Sequence, residues 1–567
     1  MDSFIQKMEQ KKSKNIGENG HLQNDWSTNV KNKICELYFQ LVRCDDHSVL
    51  EYQWRKILSS FIGNEKTQEF KSVIKMIPNT RDIVEGKGEQ RLSFMLLYCL
   101  WDYYPDMARF IFEKFICMGE KHSFGSFKDI KYFCNYIKEK SGMNTHPFIE
   151  YILFITVSFL KTDEILYSKK QPISLLGKWF PRAKSKKFGW INKKFSQIYY
   201  ASIMFTAKSS FQKQNASKKC ERNLRLLLVK LNKYLDTIQI KMSGKDWSKI
   251  NFNLVTGPTL RIYKKAFQNL DKTGKQRYYE DDRVNCANNL KIHLKNGVEG
   301  NLIVKGKRID MYKLVKDAYF ATTEEDISMV NAQWLDNSSI NKNINHYIIP
   351  MCDTSYCMTY NDNIPMYNSI GFGIRISEKT HPAFRHRILS FNTTPTWFQL
   401  NKNMTFHQKV QTMNISNCGG NTNFYKALEM VLNICVVNEI PPQEVEKMSL
   451  AIFSGMQIDF VQESLNMATM MENIKLLYNE AGLKTKWKTP YKVPHILFWN
   501  LKNTKGFPNC VNEPNTTMLS GYSPVLLNTF VEKGLQKLKN ITPYKILMGI
   551  FNKSRYDIFD EYISTHL

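Results

Sequence analysis

Between Lys178 and Lys194 the chain reads KWFPRAKSKKFGWINKK. Lys178, Arg182, Lys184, Lys186, Lys187, Lys193 and Lys194 are interleaved there with Trp179, Phe180, Phe188 and Trp190. Ammonium and guanidinium groups follow phosphates and release their condensed counterions, and aromatic faces stack on unpaired bases. The chemistry this segment offers is the capture of a polyanion, with nucleic acid first among the candidates. Its tryptophans are expected to anchor in the core and leave the lysines exposed. A second basic run, Lys208–Arg225, carries Lys213, Lys218, Lys219 and Arg222 and is expected to begin as a loop before a helix.

The distribution of charge sharpens this reading. Of 567 residues, 79 are Lys or Arg and 52 Asp or Glu, a net charge of +27. Residues 161–230 hold 17 basic and 3 acidic residues, so half of the net charge sits in one eighth of the chain. Lysine substitution spread evenly along the chain would not concentrate charge this way. Hydrophobic residues at 43% exclude a wholly disordered chain, and 26 Gly with 18 Pro exclude a Pro/Gly-rich architecture.

Other chemistries have little to stand on. The 12 cysteines follow no framework spacing and fall mostly in apolar stretches, as expected of core thiols in a reducing compartment. His381 and His386 have no partner at metal spacing. No nucleophile elbow, zincin motif or kinase signature is present, so the expectation is a non-enzymatic protein. The first residues lack an apolar signal region, and the longest apolar run, Phe148–Leu160, is shorter than the ~20 residues of a membrane helix. It is expected to be a buried core helix, in a soluble, cytoplasmic protein without a membrane partner.

The elements that must position the basic residues are helical. A polar lead over residues 1–27, expected to be disordered, is followed by residues 28–340. There IKYFCNYIKEK, ERNLRLLLVKLNKYLDTI and DMYKLVKDAYFA repeat apolar residues at i, i+3, i+4 and i+7. Residues 345–567 follow another pattern. HYIIPMCD, RILSF, MSLAIFSG and PHILFWNL are short apolar runs alternating with helical stretches, the mark of a parallel sheet buried on both faces. The expected fold class is α + α/β: an irregular helical array followed by a Rossmann-like parallel-sheet domain.

Two resemblances refine this. CDTSYCM (Cys352–Met358), ending the first strand, with GGNTNF (Gly419–Phe424) opening a later helix, resembles a von Willebrand A domain. Its metal motif is DxSxS, with a loop Thr and a further Asp. The resemblance places Mg²⁺ at Asp353, Ser355 and Thr422, oxygen ligands suited to a hard cation. The pattern departs at Cys357, a soft ligand where a Ser is expected, and at Gly455, where an acid is expected; Asp459 follows four residues later. The site is therefore expected to be degenerate. TRDIVEGKGEQR (Thr80–Arg91) with GSFKDIKYF (Gly125–Phe133) resembles the TROVE module of the Ro autoantigen, a ring-like array of HEAT-like helical repeats. LGKWFPR, LNKYLDTIQIKMSGKDWSKINFN, FSGMQID, FWNL and MLSGYSP are similar to an uncharacterised TROVE-like branch of plants, fungi and giant DNA viruses. The Lys/Asn/Ile-rich composition suits a giant virus of the mimivirus kind.

What the resemblance implies is RNA binding on the helical array, with the sheet domain mediating contacts to protein, and packaging in the virion if the source is viral. The alternative is a virion structural or protein-interaction component with no specific RNA binding. In this family setting Gly86-Lys87-Gly88 is a corner between helices rather than a phosphate loop. Arg81, Asp82, Glu85 and Arg91 are expected to form a local ion network there, and Ser248 is a candidate helix N-cap.

Overall fold

The computed structural model describes residues 14–16, 22–119, 121–341, 347–391, 394–413, 423–456, 467–504, 506–507, 515–528 and 542–566. The periodic segments fold as the longer helices α1 (Val30–Gln40), α2 (Ser48–Ser59), α3 (Gln68–Arg81), α4 (Gln90–Trp101), α5 (Pro105–Ile116), α6 (Lys128–Ser141) and α7 (Pro147–Ser168). They continue as α8 (Gly189–Tyr199), α9 (Ser210–Tyr234), α10 (Gly257–Phe267), α11 (Asp281–Val298), α12 (Met311–Tyr319) and α13 (Glu324–Ser338). The expected core helix is α7, which buries Phe148, Ile149, Ile152, Leu153 and Leu160 but leaves Phe154 exposed. Helix α9 starts at Ser210, closed by a capping box between Ser209 and Gln212. The basic run therefore begins as a loop at Lys208 and Ser209, as expected, and Lys213, Lys218, Lys219 and Arg222 lie on the helix that follows. Ser248, by contrast, is no cap: its hydroxyl donates to Asp282, whose carboxylate also accepts from the Trp247 and Ser248 N–H groups.

Within the expected polar lead, β1 (Lys14–Ile16) pairs antiparallel with β2 (Leu22–Asn24), and Asn24 bridges to Phe507. After residue 347 the apolar runs become strands. These are β3 (Ile348–Asp353), β4 (Arg387–Phe391), β5 (Trp397–Gln399), β6 (Ser449–Ser454), β7 (His495–Asn500) and β8 (Thr516–Ser520). Helices α14 (Tyr360–Ser377), α15 (Phe424–Val437) and α16 (Met467–Lys484) connect them. The sheet order is β5-β4-β3-β6-β7-β8, parallel except for the edge strand β5. Every residue of β3, β6, β7 and β8 is buried, which is why β3, β6 and β7 are largely apolar without alternation. Successive connections run outward in opposite directions from β3 and β6, so the crevice between their carboxyl ends is the switch point of the sheet.

The chain then returns. Helices α17 (Pro543–Phe551) and α18 (Asp557–His566) pack on the first helices, with Tyr562 stacked on Phe110 at 4.1 Å and Tyr556 on Phe124 at 5.6 Å. One continuous core runs from Ile34 to Ile563 through both regions; a smaller one, including Phe252, Phe267, Leu290 and Met329, lies within residues 250–332.

Candidate functional site

The basic segment does not stand alone. Helix α6 brings Lys128 and Lys131 to the half-buried ring of Trp179: Lys128 Nζ lies 4.0 Å from its centroid and Lys131 Nζ donates to the Trp179 carbonyl at 2.9 Å. Lys178 Nζ lies 5.4 Å from the same ring, and Lys138 Nζ 5.0 Å from that of Trp190. Burial holds the Lys128, Lys131 and Lys178 ammonium groups below the usual lysine value. Lys178, Arg81 and Lys313 press Lys128 down further against the opposing pull of Asp129, and Lys128 and Arg182 do the same to Lys131. Among the described residues none of Lys128, Lys131, Lys178 and Arg182 makes an ion pair. Cations crowded near aromatic faces with no carboxylate paired to them present a field that a polyanion would neutralise. Sequence reading missed Lys128, Lys131 and Lys138 because they lie some 40–50 positions earlier in the chain, and only tertiary packing unites them with Trp179 and Trp190.

The TRDIVEGKGEQR corner sets where α6 begins. Arg81, at the end of α3, forms a two-pronged pair with Asp129 in the first turn of α6, at 2.8 and 2.9 Å, both side chains being buried. A Cβ on Gly125 would stand 2.0 Å from Asp129 Oδ2, so only glycine admits this approach. The expected local ion network is instead long-range: Arg81 reaches Asp129, and Asp82 accepts from Arg555 at 2.7 Å and from Tyr556 at 3.0 Å. Lys87 is buried, its ammonium donating to the Tyr38 and Leu41 carbonyls at the end of α1 and to Ser520 at the end of β8. Three acceptors satisfy its three protons, while burial pushes it well below the ordinary lysine value. This corner is a structural clamp between helices and sheet.

The other candidate cations are dispersed. Lys184, Lys186 and Lys193 are exposed, as is Arg182 at the edge of the Trp179 cluster. Lys187 is paired with Glu139 at 3.5 Å and Lys194 with Glu150 at 3.3 Å. Lys213, Lys218, Lys219 and Arg222 line the outside of α9, whose buried stripe of Ala216, Cys220, Leu224, Leu227 and Leu231 faces inward.

At the switch point of the sheet the picture reverses. Asp353 is fully buried; its Oδ1 accepts from the Ser355 N–H at 2.8 Å and its Oδ2 from the Ser454 hydroxyl at 2.5 Å. Burial raises its carboxyl above the usual range, against the lowering effect of hydrogen bonds from Ser355, Ser454 and the Gly455 N–H. The Ser355 hydroxyl lies 2.9 Å from the Cys357 thiol. A Cβ on Gly455 would lie 3.4 Å from Lys502 Cβ and 3.5 Å from Cys357 Sγ, so Lys502 flanks the place where the family pattern has an acid. Thr422 and Asp459 lie outside the described residues. Those that are described supply one carboxylate and two hydroxyls, all three already hydrogen-bonded, and no group of three His, Cys, Asp or Glu gathers among them. Mg²⁺ takes near-octahedral oxygen coordination, and the described residues supply only part of such a set.

Fold and site together define a helical array, clamped at both ends of the chain to a doubly wound six-stranded sheet, with its cations on the array. Comparisons with known proteins agree with that division. A domain of unknown function (DUF2828) matches residues 153–336 and another (DUF7788) residues 347–546. An uncharacterized protein of Acanthamoeba polyphaga mimivirus is 26% identical over 509 residues, covering 87% of this chain and 81% of the relative.

Proposed function

We propose that this is a non-enzymatic RNA-binding protein of the Ro-like kind, with a TROVE-like helical array and a von Willebrand A-like sheet domain. RNA lies across the surface where α6 meets the basic segment. The observation that carries the reading is the set of half-buried cations around Trp179, Lys128, Lys131 and Lys178, joined by Arg182 and left without acidic partners. Burying lysines beside one another costs folding energy, and a phosphate backbone offsets that cost on binding. The order of the sheet, with its antiparallel edge strand, supports the von Willebrand A-like reading. A mimivirus relative makes packaging in a giant-virus particle part of the proposal.

In this reading the metal site is vestigial. Ser454 and the backbone amides satisfy Asp353, and the domain contributes packing and protein contacts without Mg²⁺. The departures at Cys357 and Gly455 favour one second reading, a virion structural or protein-interaction component that has lost RNA binding. The test is RNA affinity at physiological salt, with Lys184/Lys186/Lys187→Ala as comparison. Tight binding whose salt dependence weakens in the variant supports RNA; binding no better than that of an unrelated basic protein hands the lead to the structural reading.

A further inference from the structure

A second feature of the basic segment is apolar. Phe205 closes a short helix (Ala201–Phe205) and is 92% exposed; Phe211, in the first turn of α9, is 69% exposed. Ile198 is also exposed, and Met204 half-buried. Phenyl rings this open bury little of the area that normally justifies their place in a folded chain.

The corner that carries them is firmly built. The Thr206 hydroxyl donates to the Ile203 carbonyl at 2.9 Å and the Ala207 N–H to the Met204 carbonyl at 3.2 Å. The Lys208 and Ser209 N–H groups both donate to Gln212 Oε1, at 2.9 and 3.1 Å. The rings are thus presented at a fixed bend between two helices.

The stretch of chain that carries them has charge of one sign. Residues 165–220 contain no Asp or Glu, and from 183 to 221 every basic residue is a lysine: Lys184, Lys186, Lys187, Lys193, Lys194, Lys208, Lys213, Lys218 and Lys219. Lys208 and Lys213 are exposed beside the rings. We infer that this corner is a peripheral contact for an anionic lipid surface, Phe205 and Phe211 entering the headgroup–acyl boundary while the lysines meet lipid phosphates and carboxylates. Among the described residues no helix is long and apolar enough to cross a membrane, so the contact lies on the bilayer rather than through it.

Two observations favour lipid over nucleobases here. An aliphatic side chain, Ile198, is also exposed on the preceding helix and offers no flat face to a base. Lysines, compact point charges, replace the planar arginines that stack and fork. The inference is independent of RNA binding at the Trp179 cluster.

The test is co-sedimentation of the full chain with vesicles of phosphatidylcholine alone and of phosphatidylcholine with about a third phosphatidylserine. The serine-containing vesicles should bind the chain and the neutral ones should not. Phe205→Ala with Phe211→Ala should lower binding about tenfold per ring, and Lys208→Ala or Lys213→Ala about fivefold each. Phe205→Leu with Phe211→Leu should keep vesicle binding within about threefold, because leucine enters lipid but cannot stack on a base. Lys128→Ala with Lys131→Ala should leave it within about twofold, which separates this site from the RNA surface. Unchanged vesicle binding in the alanine pair overturns the inference. So does a loss of RNA affinity in both the alanine and leucine pairs with vesicle binding intact, which would assign the corner to nucleobases.

Discussion

The Trp179 surface and the switch point of the sheet treat charge in opposite ways. At the first, cations from two separate segments crowd on aromatic faces and are left unanswered. At the second, a single carboxylate is drawn fully inside and satisfied by a serine, its own loop and a backbone amide. Charge left without a counterion at a surface awaits a partner, whereas a carboxylate whose lone pairs are already engaged has little left for a cation. On the proposed reading, recognition falls to the helices and the sheet has a supporting role.

The largest expected effect breaks the frame of the first region. Asp129→Ala strands Arg81 in a buried site and should destabilise the chain by about 3–5 kcal/mol, measured by denaturant unfolding. RNA affinity should fall with it, because the start of α6 carries Lys128 and Lys131. Asp353→Ala should cost less, about 1–3 kcal/mol, since it strands a hydroxyl and two amides but also removes a buried carboxyl. It should leave RNA affinity unchanged, and neither Mg²⁺ nor a chelator should move the melting temperature of the wild type.

Asp353→Asn tests the same residue through pH. Burial raises the Asp353 carboxyl, so the folded chain keeps its proton to higher pH than the unfolded chain does. The stability this residue contributes is complete below its unfolded pKa and is lost as pH rises through the raised value. Urea midpoints from about pH 4 to pH 8 should therefore decline less steeply in Asp353→Asn than in the wild type. The smallest effect sharpens the first region. Glu139→Gln and Glu150→Gln release Lys187 and Lys194 from surface pairs and should each raise RNA affinity about two- to threefold.

Much of the frame was legible in the sequence because burial writes itself into pattern. HYIIPMCD, RILSF, MSLAIFSG and PHILFWNL contain β3, β4, β6 and β7, and the 3.6-residue periodicities fall on α6, α9 and α12. Strands β5 and β8 were not legible. WFQ is too short for any periodicity, and TTMLS is polar enough to read as a loop until β7 covers one of its edges. The return of α17 and α18 to the first helices, through pairs such as Lys75–Asp560 at 2.5 Å, leaves no local trace. The site divides the same way. Lys178 and Arg182 could be named from composition, but Lys128 and Lys131 acquire their meaning only when Arg81 and Asp129 bring α6 against Trp179. Lys87 is expected at a corner between helices, and only the fold shows it capping α1 with all its protons engaged.

The most direct test of the central claim is the slope of RNA affinity against salt for wild type and Lys128/Lys131/Lys178→Ala. Each phosphate contact contributes about 0.7 to that slope for a single strand, so three lost contacts should flatten it by about 2 and weaken binding more than tenfold at physiological salt. An unchanged slope in a variant that folds normally would contradict the account, because the unanswered cations around Trp179 would then not be where the phosphates go.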